Sequence, residues 1–277
     1  NQYVSGPASF CMERTKIGLA LSGGGARGYA HLGVLRVLER ERIPIDMAAG
    51  CSAGSIVGAA IAAGLRSDDI IKFSRNLGWF DVSGFSYSPR GLLTNEPLGR
   101  FIEKNFPLTK FEELEMPLAI VACDLATGKE VIFRNEGNVA EAVRASCAIP
   151  GVFVPVVGPD GKVLVDGGIA SPMPTRAVRK LGAEKVIAVD LLTCGSVDAG
   201  TPNTLVGTFI QAAMMMIRNS SKSHHYRADV VIEPAIAHIR PDEMRRADEL
   251  IQLGETAAEE KLDEIRALIE PRSEEHT

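Results

Sequence analysis

Residues 17–28 read IGLALSGGGARG, and residues 46–54 read DMAAGCSAG. These two stretches decide the fold. Ile17 to Leu21 is a short apolar run, which predicts a buried strand. Ser22 to Gly28 is a glycine-rich turn. Beyond it, Leu32, Leu35 and Leu38 recur at helical spacing between Ala30 and Arg40. Asp46 to Gly50 predicts a second short strand. Ala53 to Leu65 is almost wholly small and apolar, as suits a helix buried on all sides. Strand, turn and helix twice over predict a parallel sheet with helices on both faces.

Farther out the pattern holds. Helices are expected at 67–77, 97–105, 139–146, 175–181 and 205–218. Strands are expected at 117–123, 130–134, 162–165, 185–189 and 230–233, with Thr127-Gly128-Lys129 as a hairpin turn. Residues 78–94 mix Gly, Ser, Pro and aromatics without a period and suggest a loop or flap. Residues 241–269 are charged and amphipathic, one long helix or two shorter ones. There is no repeat and no clear linker, so residues 16–270 are expected to form one α/β domain. Residues 1–15 and 271–277 would be tails. The chain does not begin with Met, and residues 1–11 suggest an expression remnant or a processed segment.

Composition narrows the function classes. The chain has 277 residues, 45% hydrophobic and 23% charged, near globular averages. Lys and Arg total 30 against 35 Asp and Glu, a net charge of −5, which argues against a strongly basic nucleic-acid surface. Cys11, Cys51, Cys123, Cys147 and Cys194 are odd in number and show no C-x-x-C spacing. That speaks against a disulfide scaffold and a cysteine zinc site, and for a reducing compartment. No run reaches the ~18 apolar residues of a membrane span, and residues 1–15 lack the apolar core of a signal peptide. A cytoplasmic protein is the expectation. The 27 glycines exceed the usual share, so the backbone either turns often or comes close to something.

Gly50-Cys51-Ser52-Ala53-Gly54 is the chain's one G-x-S-x-G. A predicted strand precedes it and a predicted helix follows, the setting of a nucleophile elbow. The helix N-terminus behind Ser52 would favour developing negative charge. The bland alternative is a serine that only caps a core helix. Cys51 occupies an x position, should point away from the site, and suits a buried structural role.

The turn Gly23-Gly24-Gly25-Ala26-Arg27-Gly28 has rival explanations. It could bind phosphate at a helix N-terminus, or simply turn tightly. It lacks a Walker lysine, and the second strand ends at the elbow rather than at a ribose-binding acid. Beside a serine elbow it suits an oxyanion hole, with amides near Gly24 and Gly25 holding the negative oxygen. Arg27 would either meet an anionic headgroup or fix the loop.

A serine nucleophile needs a base. His31 follows the loop, His224-His225 suggests a solvent-facing helix end, and His276 lies in a polar tail. Ser52, Asp166 and His238 run in the chain order of a hydrolase triad. Alternatively, Asp166-Gly167-Gly168 sets a carboxylate at a strand end and needs no histidine. A plain Asp-Gly turn remains open there.

Taken together, Gly23-Gly24-Gly25-x-Arg27-Gly28, Gly50-x-Ser52-x-Gly54 and Asp166-Gly167-Gly168 resemble the patatin-like phospholipases. Ala145-Ser146-Cys147-Ala148-Ile149-Pro150-Gly151-Val152-Phe153 resembles a further stretch of that family. The resemblance is nearest to its bacterial, neuropathy-target-esterase-related branch, judged by size and by the run Ala26-Arg27-Gly28-Tyr29-Ala30-His31-Leu32. It implies a three-layer α/β/α fold with a mainly parallel sheet, no metal and no cofactor. It implies a Ser–Asp dyad acting on lipid acyl esters. Ser52 would be nucleophile and Asp166 its base. The Gly24 and Gly25 amides, with Gly23 and Arg27 close by, would form the oxyanion hole. Gly28, Gly50, Gly54, Gly167 and Gly168 would support the motifs. The sequence departs at Cys51, where Thr is frequent, and at Ile169-Ala170-Ser171-Pro172, where Asn is often seen.

Residues 78–98 gather Trp79, Phe80, Phe85, Tyr87, Leu92 and Leu93. They suggest an acyl-chain entrance or lid touching lipid, with ordinary cover of the core as the alternative. Leu205 to Ile217, with Met214, Met215 and Met216, suits core packing better than an acyl pocket. Glu249, Glu255, Glu259 and Glu260 read as a solvated helix face. The expected function is a serine hydrolase of phospholipid or lysophospholipid acyl esters, with peripheral contact to a membrane surface. Its rivals are an acyltransferase on the same dyad and a non-catalytic phosphate- or nucleotide-binding module.

Overall fold

A computed structural model of the protein describes residues 14–193, 205–222 and 227–269, apart from several side chains of the 205–222 helix. Residues 1–13 of the expected N-terminal tail, which include the suggested remnant at 1–11, and the tail at 271–277 lie outside the described residues. So do Cys11, Cys194, His224, His225, His276 and the Met214 side chain.

The chain alternates as expected through its first half. It runs β1 (Ile17–Leu21), α1 (Tyr29–Arg40), β2 (Met47–Cys51), α2 (Ala53–Ala62), α3 (Ser67–Ser74) and α4 (Trp79–Val82). Then come β3 (Gly84–Phe85), β4 (Gly91–Thr94), α5 (Glu96–Asn105), β5 (Leu118–Asp124), β6 (Glu130–Phe133) and α6 (Val139–Ser146). The second half holds β7 (Gly151–Phe153), β8 (Val156–Val157), β9 (Val163–Asp166), α7 (Thr175–Arg179) and β10 (Lys185–Val189). It closes with α8 (Leu205–Lys222), β11 (Val230–Ile232), α9 (Ala247–Glu259) and α10 (Leu262–Ile269).

The main sheet runs β11-β10-β1-β2-β5-β9-β8, with β6 also on β5. Its first five strands are parallel; β6, β8 and β9 add antiparallel pairs. Alternate residues feed two cores, as a two-sided sheet requires. Leu19, Leu21, Ala48, Leu118, Ile120, Ile187 and Val189 pack with α1, α2, α5, α6 and α9 on one face. Ala20, Met47, Ala49, Ala119, Val121, Val186 and Ala188 pack with α7 on the other, against much smaller side chains. The result is the expected α/β/α layering.

The differences are local. Residues 78–94, expected to be irregular, form α4 and two strands of a separate sheet, β3-β4-β7. β7 and β8 are two or three residues long and leave no period to detect. The 241–269 segment is two helices. α2 stops at Ala62 rather than Leu65, because Gly64 takes φ +88° and Leu65 N–H bonds back to the Ala60 carbonyl, a left-handed helix close.

The glycines outside the motifs do not all stand at turns. Gly33 in α1 and Gly254 in α9 lie where these two helices cross. A Cβ on Gly33 would sit 1.9 Å from the Ile251 carbonyl oxygen, and one on Gly254 would sit 2.1 Å from that of Ala30. Arg36–Glu255 and Arg40–Glu259 pairs flank the crossing, so part of the acidic face answers to α1 rather than to water. On an isolated helix Gly→Ala stabilises by about 1 kcal/mol. Here Gly33→Ala is expected to destabilise by about 1–3 kcal/mol or more through overpacking. A thermal midpoint that rises in the variant would contradict the close crossing.

Candidate active site

Sheet register assembles the site. β1 and β2 are parallel neighbours with Leu21 beside Gly50, so the glycine loop and the serine turn emerge side by side. β5 lies next to β2 with Val121 beside Cys51. β9 runs antiparallel on β5 with Asp166 beside Ala122. Asp166 is thereby brought to the level of Ser52 from the far edge of β5.

Ser52 joins β2 to α2 at φ 50°, ψ −123°. It is one of three non-glycine residues with positive φ among the described residues, a conformation that costs of order 1–3 kcal/mol. The flanking glycines make it sterically feasible. A Cβ on Gly54 would lie 2.3 Å from the Leu21 carbonyl oxygen, and one on Gly50 would lie 2.4 Å from that of Gly54. Two serines then hold the backbone. Ser146 Oγ accepts from Ser52 N–H at 2.8 Å and donates to the Val121 carbonyl at 2.6 Å. Ser55 Oγ donates to the Ser52 carbonyl at 2.6 Å.

Ser52 Oγ donates to Asp166 Oδ2 at 2.7 Å, and Gly168 N–H donates to Asp166 Oδ1 at 2.7 Å. Asp166 is buried, and no cation is paired with it among the described residues. Burial pushes its carboxyl up to about 6, against the two hydrogen bonds, which favour the charged form. Cys147 lies beside Ser52, and burial together with the Asp166 charge pushes its thiol up to about 12. Cys51 is fully buried and its thiol is raised as well, chiefly by burial. Both stay protonated at neutral pH and are poor nucleophiles.

The two described histidines stand elsewhere. His238 is half-exposed and bonds Glu249 at 3.0 Å, which answers its chain-order candidacy with a surface hydrogen bond. His31 is buried under the loop, bonds the Ser22 carbonyl at 2.9 Å, and is pushed down to about 4 by burial. It is neutral. Among the described residues, Ser52 thus has a carboxylate, and no imidazole, as its side-chain hydrogen-bonding partner.

The glycine loop divides its amides. Gly23 N–H donates to the Pro172 carbonyl and Ala26 N–H to that of Pro241. The Gly24 and Gly25 amides donate to no group among the described residues. Gly25 takes φ +60°, and a Cβ there would meet the Pro241 carbonyl oxygen at 2.6 Å, so only glycine fits. Arg27 resolves its two options. It is 1% exposed and donates to the carbonyls of Ile239 at 2.7 Å and Leu191 at 3.3 Å. It fixes the loop and is not open to a headgroup.

An apolar cavity of about 160 Å³ opens on Ser52 and Gly25. Tyr29, Ile56, Phe73, Trp79, Leu98 and Phe153 line it, among others. Most of these look like ordinary core positions on amphipathic helices, and the sequence gives no sign that they enclose a space. Met215 and Met216 on α8 are exposed, so neither methionine packs into a core or an acyl pocket. Phe80, Phe85, Tyr87 and Leu92 are exposed too, and do not cover the core. No helix among the described residues is long and apolar enough to cross a membrane.

A serine on a strained strand-to-helix turn, bonded to a buried aspartate under a glycine loop, defines a class of α/β protein. The comparisons give the family. The sequence profile described as patatin-like phospholipase matches residues 19–179, and the chain belongs to that family. An uncharacterized NTE family protein of Mycobacterium tuberculosis is 38% identical over 179 residues, 64% of this chain and 49% of its own length. Patatin-like phospholipase domain-containing protein 6 of Homo sapiens is 32% identical over 194 residues, 67% of this chain and 14% of that protein. The crystal structure of VipD from Legionella pneumophila superposes with TM-score 0.55 at 17% identity, covering 91% of this chain and 67% of that one. The chain spans about half the length of its mycobacterial relatives.

The sequence marks Ser146 only by its place in the family-like stretch 145–153, at the end of α6. Ser146→Ala leaves Ser52 N–H and the Val121 carbonyl unpaired in the interior. The expected cost is about 1–3 kcal/mol, read by urea denaturation. A midpoint equal to wild type would show that the clamp is dispensable.

Proposed function

We propose that the protein is a serine acyl hydrolase, cleaving fatty acyl esters of phospholipids, lysophospholipids or related lipids through an acyl-enzyme on Ser52. The observation that carries this reading is the 2.7 Å Ser52–Asp166 hydrogen bond, with Ser52 lining an apolar cavity. Residues 16–270 act as one catalytic unit in this scheme.

Ser52 Oγ attacks the ester carbonyl carbon as its proton passes to Asp166. The carbonyl oxygen becomes an oxyanion. The Gly24 and Gly25 amides, free of protein partners among the described residues, are the donors we assign to it. Gly23 and Arg27 contribute by holding the loop. The intermediate collapses, the C–O bond to the alcohol breaks, and Asp166 returns its proton to that alcohol. Water then attacks the acyl-enzyme, again giving its proton to Asp166, and the fatty acid leaves as Ser52 recovers the proton. The same dyad with a lipid alcohol in place of water gives an acyltransferase.

The raised Asp166 carboxyl suits both halves of this cycle. A carboxylate of ordinary pKa is a weak base towards a serine hydroxyl, and one that titrates near 6 is better matched to shuttling a proton near neutral pH. The apolar cavity suits an acyl chain.

A fluorophosphonate probe is expected to label the wild type at Ser52 and to leave Ser52→Ala unlabelled. Absence of wild-type labelling would sink the hydrolase reading. Asp166→Asn is expected to lower kcat by about 10³-fold or more; His238→Ala should leave it unchanged.

Two pH effects follow from Asp166. Because the base must be ionised, kcat/KM should fall tenfold per pH unit below about 6 and level off above it. The folded carboxyl titrates near 6, above its ordinary range near 4. Its contribution to stability is therefore full below about pH 4 and is lost as pH rises through about 6. Asp166→Asn removes that loss. It should raise the denaturation midpoint over wild type at pH 8 and much less at pH 4. A midpoint difference that does not grow with pH would contradict a burial-raised carboxyl.

A further inference from the structure

The flap beside the cavity has an unusual surface. Between Asp81 and Glu96 the chain carries a single charge, Arg90, although charged residues make up 23% of the whole. On and beside this stretch Phe80, Phe85, Tyr87 and Leu92 are 78%, 79%, 104% and 63% exposed. Soluble surfaces seldom gather large apolar groups in this way without a partner.

The small sheet orders them. Phe85 pairs with Leu93 across β3 and β4, and Leu93 pairs with Phe153 across β4 and β7. Residues paired across strands share a face, so the three side chains form one row. Exposure falls along it from 79% at Phe85 to 5% at Phe153, and Phe153 lines the cavity that ends on Ser52. Phe80 continues the row outward, its ring centroid 6.4 Å from that of Phe85. Trp79 and Val82, from the same turn of α4 as Phe80, line the cavity. The apolar surface therefore does not stop at the rim; it runs from solvent into the site.

We propose that this flap docks on the surface of a lipid assembly, with Phe80, Phe85 and Tyr87 entering the interface. An acyl chain then passes along Phe85, Leu93 and Phe153 to Ser52. The acyl path rests on the acyl-ester function proposed above. Three features favour a lipid surface over a protein partner. The row leads into a cavity that a protein partner would seal. Aromatic side chains interspersed with Ser83, Ser86 and Ser88 suit the boundary between headgroups and acyl chains. Finally, residues 82–95 contain no carboxylate to repel headgroup phosphates, in a chain of net charge −5. With one cation only, attachment comes from apolar insertion and is weakly screened by salt.

The chain has one tryptophan, Trp79, next to the proposed contact. Adding phosphatidylcholine vesicles should shift its emission to the blue and carry the protein upward in flotation. Ionic strength of about 0.5 M should leave this intact. The double variant Phe80→Ser, Tyr87→Ser should lose vesicle partitioning by about tenfold or more. It should keep its fold by circular dichroism and its activity on a short water-soluble ester, since neither ring lines the cavity. Wild type that fails to float, or a variant that floats equally well, overturns the proposal. So does a wild-type dimer that the two substitutions dissociate, which would make the patch a contact between copies. If wild type floats and the variant does not, while neither reacts with fluorophosphonate, docking stands and the acyl-ester function falls.

Discussion

The backbone of Ser52 is the constraint on which the rest of the site depends. A non-glycine residue at φ 50° is not held by local preference, and surrounding structure must over-determine it. β2 and α2 supply the two ends of the turn. Gly50 and Gly54 let strand and helix approach until main-chain atoms touch. Ser146, from the end of α6, and Ser55, from the first turn of α2, hold the amide and carbonyl on either side. The hydroxyl is thereby lifted clear of both elements and aimed at a carboxylate from a third. Its own amide is occupied by Ser146.

That loop shows the same economy. Arg27 would be costly to bury alone, yet its guanidinium bonds the carbonyls of Leu191 and Ile239. Those segments follow β10 and β11, so one side chain ties three strand ends together behind the loop. Gly25 and Ala26 meet Pro241 from the same direction. A loop held this firmly can leave the Gly24 and Gly25 amides without partners among the described residues. Asp166 is handled differently. It is buried with two hydrogen bonds and no paired cation among the described residues, which raises its pKa at the expense of stability above that pH. Charge balance at the site is left incomplete where a proton would move.

The flap carries this polarity outward. Most of the main sheet is closed off by helices on both faces, but β3, β4 and β7 form a second small sheet whose face is graded from wet to dry. Its strands are too short to bury both faces, so their apolar side chains reach either the cavity or solvent. This is why the aromatic-rich segment neither joins the core nor behaves as a polar loop.

By itself the sequence determined what is local. Apolar runs followed by glycine turns specify β1, β2 and β10 with their helices, because period and turn chemistry act over a few residues. The Ser52 elbow and the Asp166 turn were legible for that reason, and their association through the ordered motifs of a family. Tertiary structure alone decided what needs distant segments to meet. It gave Asp166, and not His238, as the partner of Ser52, because β9 adds to β5 antiparallel while His238 faces Glu249. Likewise it turned Arg27 inward, recruited Ser146, used Gly33 and Gly254 for a helix crossing, and enclosed the apolar cavity between helices that each look like core. Those outcomes depend on register and close packing between residues far apart in the chain, which no single window of sequence contains.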